Sequence, residues 1–319
     1  MSDFNDITPT SLKHLIGQRS VIAQVEVALE AAWSDSRKFD HALLVGGPGL
    51  GKSQLAHVVA AEMAAQLHEV LGQSITSPAD LNTLLLSAKD KDIIHIDEVH
   101  ELAKQYQTGL YVALDQQRII LQGGRTAPQS IPLANFSLLL STTDEFALLQ
   151  PLRDRMRLTL RFQYYSEDEL TEVLRQRYRA QRWKVDELIL PQIAQRSRGT
   201  PRLALRLLQA CHRVARAEGK SSVTPGHFLK ACGLEGIDDL GLGPTEQKYL
   251  AFLAEGSSRL NVIASRIGLP TRTVAHVIEP FLIRAGLVCK DDQGKRQLTA
   301  LGRNHLSNSR LKADQKVSK

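Results

Sequence analysis

Between Leu43 and about Phe162 the chain alternates short apolar runs with longer amphipathic segments. HALLVGG, DIIHID and NFSLLLSTT are near-continuous in apolar character rather than alternating, which predicts strands buried on both faces of a parallel sheet. SQLAHVVAAEMAAQL has helical spacing and lies between two of them, so the first half reads as an α/β layer.

At Ser166 the pattern changes to helix alone. SEDELTEVLRQRYRAQ opens with Ser166 and Glu169 at capping-box spacing, and Leu170, Val173, Leu174 and Tyr178 share one face. Helical periodicity continues to about Leu234, with Thr224-Pro225 as a further N-cap and first-turn proline. GIDDLGLGP, residues 236–244, is dense in turn residues and reads as a linker. Beyond it EQKYLAFLA, NVIASRIG and TRTVAHVIEPFLIRAG predict three helices, and LVCKDDQGKRQLT predicts two short strands around a polar turn. Three helices and a hairpin make a winged helix, with Pro280 expected to kink the third helix and NSRLKADQKVSK expected as a frayed tail. The predicted architecture is an α/β P-loop domain with a parallel sheet over residues 1–165, a small all-helical lid domain over 166–240, and a C-terminal winged-helix domain over 241–319.

Composition changes this picture little. With 319 residues, 43% apolar and 23% charged, the chain can fill more than one core. It has neither a basic, apolar leader nor an apolar run long enough for a membrane span, and its three cysteines (Cys211, Cys232 and Cys289) are widely spaced, so a reducing cytoplasm is expected. Charge is more telling when divided: the balance is −4 over 1–165, +3 over 166–240 and +7 over 241–319. Basicity gathers where the winged helix is predicted, as expected of a part that meets a polyanion.

Gly46-Gly47-Pro48-Gly49-Leu50-Gly51-Lys52-Ser53 has the G-x-x-x-x-G-K-[ST] spacing after a strand and before a helix. Such a loop turns backbone N–H groups towards a triphosphate; Lys52 would contact the β- and γ-phosphates and Ser53 would ligate Mg²⁺. Asp97 and Glu98 end an apolar strand, where the first would hold Mg²⁺ through water and the second polarise the attacking water. His95 and His100 flank them at a spacing that does not suit joint metal ligation. Thr142 and Thr143 end another strand, where a hydroxyl can touch the γ-phosphate or simply cap the strand. Arg153 and Arg155 surround Asp154, and an arginine projecting there can reach a neighbouring subunit's γ-phosphate if copies pack head to tail in a ring. Arg202, in RSRGTPRLALRLL, opens a helix of the expected lid and is a second arginine that could read the nucleotide.

Taken together these residues resemble the RuvB family of Holliday-junction branch-migration ATPases, within the AAA+ class. The likeness covers Pro9 to Gln18, GPGLGKS, IDEVH, STT, PLRDR, RGTPRLALRLL and VIEPFLIRAGLV, the last two being the most specific. The resemblance implies an ATP-hydrolysing motor with Mg²⁺ as cofactor. Arg155 would be the trans-acting finger and Arg202 the second sensor. Ile16, Gly17 and Tyr165 would lie at the adenine, and Gly49, Gly51 and Gln54 would belong to the phosphate loop and its helix. Asp115, Gln116 and Gln117 would lie near nucleotide across a subunit interface. Lys290 and Lys295, with Arg296 beside them, would contact DNA. Implied partners are double-stranded DNA and four-way junctions, a ring of its own copies (a hexamer), and a RuvA-like protein docked on the hairpin from Ile119 to Pro132, all in a bacterial cytoplasm. The alternative is an AAA+ switch whose winged helix serves a DNA-binding regulator or loader.

Overall fold

The computed structural model describes residues 9–121 and 129–317, the side chains of Leu121 and 309–317 excepted. The tip of the expected partner hairpin, 122–128, therefore lies outside the described residues. Two compact units emerge, one reaching to Gln181 and including Thr200–Arg202, the other comprising Arg182–Gly199 and everything from Leu203.

In the first unit helix α1 (Arg19–Ser34) precedes β1 (Ala42–Val45), α2 (Lys52–Glu62) and β2 (Leu67–Leu71). Helix α3 (Pro78–Ser87), β3 (Ile93–Asp97) and α4 (Lys104–Gln116) follow, then β4 (Arg118–Leu121) and β5 (Gln129–Pro132) as an antiparallel pair. Strand β6 (Ser137–Thr142), the short α5 (Gln150–Arg153), β7 (Leu158–Arg161) and α6 (Glu167–Ala180) complete it. Five strands form a parallel sheet in the order β2-β3-β6-β1-β7. Its inner strands are buried almost throughout, because helices cover both faces; one core packs Leu43, Ile94, Ile96 and Leu140, the other Leu44, Leu55, Val59 and Leu139. The strands foreseen in HALLVGG (41–47), DIIHID (92–97) and NFSLLLSTT (135–143) are present as β1, β3 and β6. Strands β2 and β7 lacked a continuous apolar run: LHEVL and LTLR each carry polar residues because they are the sheet's edges. Helix α6 opens with the expected capping box, Ser166 accepting from the Glu169 N–H at 3.1 Å and Glu169 accepting from the Ser166 N–H at 2.8 Å.

In the second unit β8 (Lys184–Val185) pairs with β9 (Ser222–Val223) beside α7 (Leu190–Gln195), α8 (Pro201–Ala217) and α9 (Pro225–Glu235). Then come α10 (Pro244–Leu253), α11 (Leu260–Ile267), a third helix, and the wing strands β10 (Val288–Lys290) and β11 (Arg296–Leu298). The third helix is broken into α12 (Thr271–Thr273), a π-helical stretch over Val274–Ile278, and α13 (Glu279–Arg284). Pro280 explains the break: it has no N–H for the preceding turn and its ring would strike the carbonyl four residues back, so a widened turn accommodates it. Two expectations change here. The linker is a fixed turn, in which Asp238 accepts from the N–H groups of Leu240 and Leu242 and meets His305 at 2.8 Å. The polar tail continues α14 (Ala300–Val317), since no proline or glycine interrupts it after Gly302.

Candidate active site

The glycine-rich loop, the Asp97–Glu98 pair and the two threonines lie together at the C-terminal ends of β1, β3 and β6. The pairing Val45↔Thr142 sets the start of the P-loop beside the end of β6, and the Gly46 N–H donates to Thr142 O at 3.1 Å. Gly49 and Gly51 adopt φ of +76° and +100°, a region open to glycine, so the loop can turn its amides inward before α2 begins. Lys52 is only 6% exposed; its ammonium donates to Gly46 O at 2.7 Å and Gly47 O at 3.0 Å. Burial lowers its pKa, an effect opposed by Glu98 and Asp97 and reinforced by Arg202. Ser53 Oγ donates to Asp97 Oδ2 at 3.0 Å, which joins the two oxygen donors the sequence assigned to a divalent cation. Gln54 turns away, donating to Pro9 O at 3.3 Å.

Asp97 also accepts the Glu98 N–H at 2.9 Å, with Glu98 held at a left-handed φ of +48°. The Glu98 Oε2 atom is buried without a hydrogen bond, although His100 Nδ1 lies 3.3 Å away. The same His100 nitrogen is 3.2 Å from Thr142 Oγ1, so His100 bridges the acid and the strand tip, a juxtaposition that sequence reading missed because it dealt with His100 only as a metal ligand. Thr142 is buried and its hydroxyl exchanges hydrogen bonds with the Asp144 backbone, whereas Thr143 is exposed. His95 points elsewhere. Fully buried, it bridges Ser141 Oγ at 2.7 Å and Glu69 Oε1 at 2.8 Å across three strands. Among the described residues no group of three or more histidine, cysteine or acidic side chains is placed to hold a metal ion.

The expected adenine residues do meet. Gly17 sits at φ +71°, where an added Cβ would lie 2.8 Å from the Tyr165 ring, so ring and backbone touch. Ile16 is half-buried next to it, and the Tyr165 hydroxyl donates to Leu50 O in the P-loop at 3.4 Å. Burial pushes the Tyr165 phenol up to about 12. Arg202 arrives at the loop as well: its N–H donates to Gly49 O at 3.4 Å, and a Cβ on Gly49 would lie 2.7 Å from Arg202 Cβ.

Arg155 has a partner that the local sequence could not reveal. Its Nε donates to Asp115 Oδ1 at 2.6 Å, a second nitrogen pairs with Asp115 Oδ2, and the guanidinium lies 4.9 Å over the Tyr111 ring. Hydrogen bonding to Arg155 holds the Asp115 carboxyl below its usual range. Asp115, expected at a nucleotide, is thus committed to the arginine. Gln116 and Gln117 end α4, and Gln117 donates to Leu114 O at 2.8 Å. Arg153 does not pair with Asp154 in the described contacts but stacks at 5.3 Å over Phe146, a ring 80% exposed.

In the wing Lys290 is exposed and Lys295 half-buried, while Arg296 is drawn inward. Its Nε and a terminal nitrogen grip Glu279 at 2.6 and 3.1 Å, and Glu279, 2% exposed, also accepts from the Tyr249 hydroxyl at 2.7 Å. The Arg296 charge neutralises a buried acid and holds the wing to the third helix. Asp291 is a turn-former, accepting from the N–H groups of Gln293 and Lys295.

Comparison with known proteins covers the whole arrangement. Residues 7–162 match the family model of the Holliday junction DNA helicase RuvB P-loop domain, 165–238 the RuvB AAA lid domain and 239–307 the RuvB C-terminal winged helix domain. The chain is 33% identical over 312 residues to the Holliday junction branch migration complex subunit RuvB of Kosmotoga olearia, covering 96% of this chain and 91% of that protein. It is 35% identical over 307 residues to the corresponding subunit of Limosilactobacillus reuteri, covering 94% and 90%. Among solved structures, the Thermotoga maritima RuvB Holliday junction branch migration motor superposes with a TM-score of 0.81 at 31% identity, over 94% of this chain and 97% of that one.

Proposed function

Given that this chain belongs to the RuvB family, we propose that it hydrolyses ATP between adjacent copies of itself and uses the energy to draw duplex DNA through a four-way junction. The observation that carries the reading is the contact of Ser53 with Asp97 at 3.0 Å beside the buried Lys52. A P-loop lysine, a hydroxyl and a strand-end acid pair in one place are the parts that phosphoryl transfer to water needs.

Each residue then has a definable task. The amides of Gly49, Gly51 and Lys52 face the phosphates, and Lys52 exchanges its carbonyl partners for phosphate oxygens. The oxygen donors Ser53 Oγ and Asp97 suit Mg²⁺ and would hold it; bound there, the ion would neutralise phosphate charge. Glu98 orients the attacking water, with His100 steadying it from the Thr142 side. Of the two threonines Thr143 is the phosphate sensor, since the Thr142 hydroxyl is already engaged. Tyr165, Ile16 and Gly17 receive the adenine, and Arg202 reads the γ-phosphate from the start of α8.

Arg155 acts on the neighbour's nucleotide, with Asp115 as the residue that aims it and Gln116 and Gln117 alongside. Lys290 and Lys295 contact DNA phosphates, giving binding with little sequence preference. A ring, on the family's pattern a hexamer, and a RuvA-like partner on the β4–β5 hairpin complete the proposal. Mixing Lys52→Ala and Arg155→Ala chains, each inactive alone, tests it. Restored ATPase activity is expected, because some interfaces then pair an intact pocket with an intact finger. Activity that stays at the sum of the two inactive chains overturns the trans arrangement.

A further inference from the structure

A cavity of about 490 Å³ is lined by Arg37, Lys38, His41, Asp154, Arg155 and Arg157 among others, and contains no residue of the P-loop. One contact in it has a chemical consequence. His41 Nδ1 accepts the Leu138 backbone N–H at 2.8 Å, so the proton of the neutral imidazole must sit on Nε2. That Nε2 lies 3.0 Å from Lys38 Nζ. An ammonium there would face an N–H donor to donor. The contact becomes a hydrogen bond when Lys38 is a free amine, accepting from His41 while donating to Phe136 O.

The surroundings favour that form. Burial, reinforced by Arg157 and opposed by Asp40, brings Lys38 down to about 8. Burial, with Lys38 and Arg157 adding to it, brings His41 to about 4, which keeps the imidazole neutral. Arg37 is paired to Asp40 and Asp35, and Arg157 shares Asp40 at 3.3 Å while its side chain remains 74% exposed.

We propose that Lys38 is an acylation site for small acyl phosphates, its amine attacking the carbonyl while the Arg157 guanidinium attracts the phosphate. The amine releases the His41 N–H, its freed lone pair attacks the carbonyl carbon to form the amide bond, the carbonyl–oxygen bond to phosphate breaks, and the proton lost by nitrogen leaves on hydrogen phosphate. No oxidant or further reactant is needed. The cavity shares Arg155, Asp115 and Gln117 with the face assigned to the neighbour's nucleotide, but the acylation itself requires only the geometry around His41 and Lys38.

Acetyl phosphate applied to the full chain, with peptide mass spectrometry of each lysine, tests this directly. At about pH 7, Lys38 should acetylate about tenfold faster than the exposed Lys89, Lys91 and Lys184, since the gain in free amine outweighs the loss of intrinsic nucleophilicity. Its rate should level off above about pH 8, and excess inorganic phosphate should slow Lys38 alone. Labelling no faster than at the reference lysines, a rate still climbing well above about pH 8, or indifference to phosphate overturns the proposal. The measurement uses the unaltered protein, so no variant has to fold.

Discussion

Replacing Arg296 with alanine separates a DNA contact from a structural ion pair. The substitution leaves the Glu279 carboxylate, 2% exposed, with the Tyr249 hydroxyl at 2.7 Å and Lys290 Nζ at 4.0 Å as its remaining partners. Breaking a buried pair by removing one member costs about 3–5 kcal/mol. Lys290 can swing closer and water can enter beside a guanidinium that was 12% exposed, so about 2–3 kcal/mol is the working figure here. At about 1.4 kcal/mol per tenfold, amide exchange in the wing strands at 288–290 and 296–298 should rise roughly 30- to 150-fold, while β3 in the first unit is unchanged. Replacing both Glu279 and Arg296 with methionine should recover most of the protection, since an apolar pair leaves no charge stranded. Duplex binding in the Arg296→Ala chain should keep its salt dependence, whereas Lys290→Ala should flatten the slope by about one counterion. Unchanged exchange in Arg296→Ala, together with a flattened slope, would refute the reasoning and return Arg296 to the DNA.

Further outcomes concern the first unit. Arg155→Ala should lower ATP turnover by about 10³-fold or more with nucleotide binding retained, and Asp115→Asn should lower it by about tenfold, measured by steady-state ATPase and fluorescent-nucleotide titration; equal losses would mean that Asp115 does more than aim the arginine. His95→Ala leaves a cavity and strands the buried Ser141 hydroxyl, while the exposed Glu69 keeps His57 at 3.3 Å, and should cost about 2–4 kcal/mol in urea unfolding, with a smaller loss for His95→Gln, whose amide can keep part of the bridge. His41 has a depressed pKa of about 4 in the folded chain, so its contribution is fully present above the unfolded value near 6.5 and lost as pH falls towards about 4. Denaturation at about pH 7 and about pH 4.5 should differ by up to about 2–3 kcal/mol more in the native chain than in His41→Asn; an identical pH profile in both would remove His41 as the cause.

The chain's local patterns determine much on their own. Apolar runs specify the buried inner strands, glycines at 49 and 51 specify a loop that only φ above zero can close, and the strand–loop–helix order makes that loop a phosphate site. Spacing likewise locates the capping box at Ser166 and the broken third helix at Pro280. Edge strands escape such a reading because one side of each faces water and their sequences lose the apolar signature. Tertiary structure alone decides the partners of charges. Asp115 finds Arg155 across forty positions and Glu279 finds Arg296 across the wing. Lys38 and His41 are neighbours in sequence, but the tautomer of His41 is set by Leu138, a strand residue far along the chain. Periodicity encodes which face is buried, because burial repeats with the geometry of the element; pairing of two charges depends on where separate elements bring them together, and no local repeat carries that.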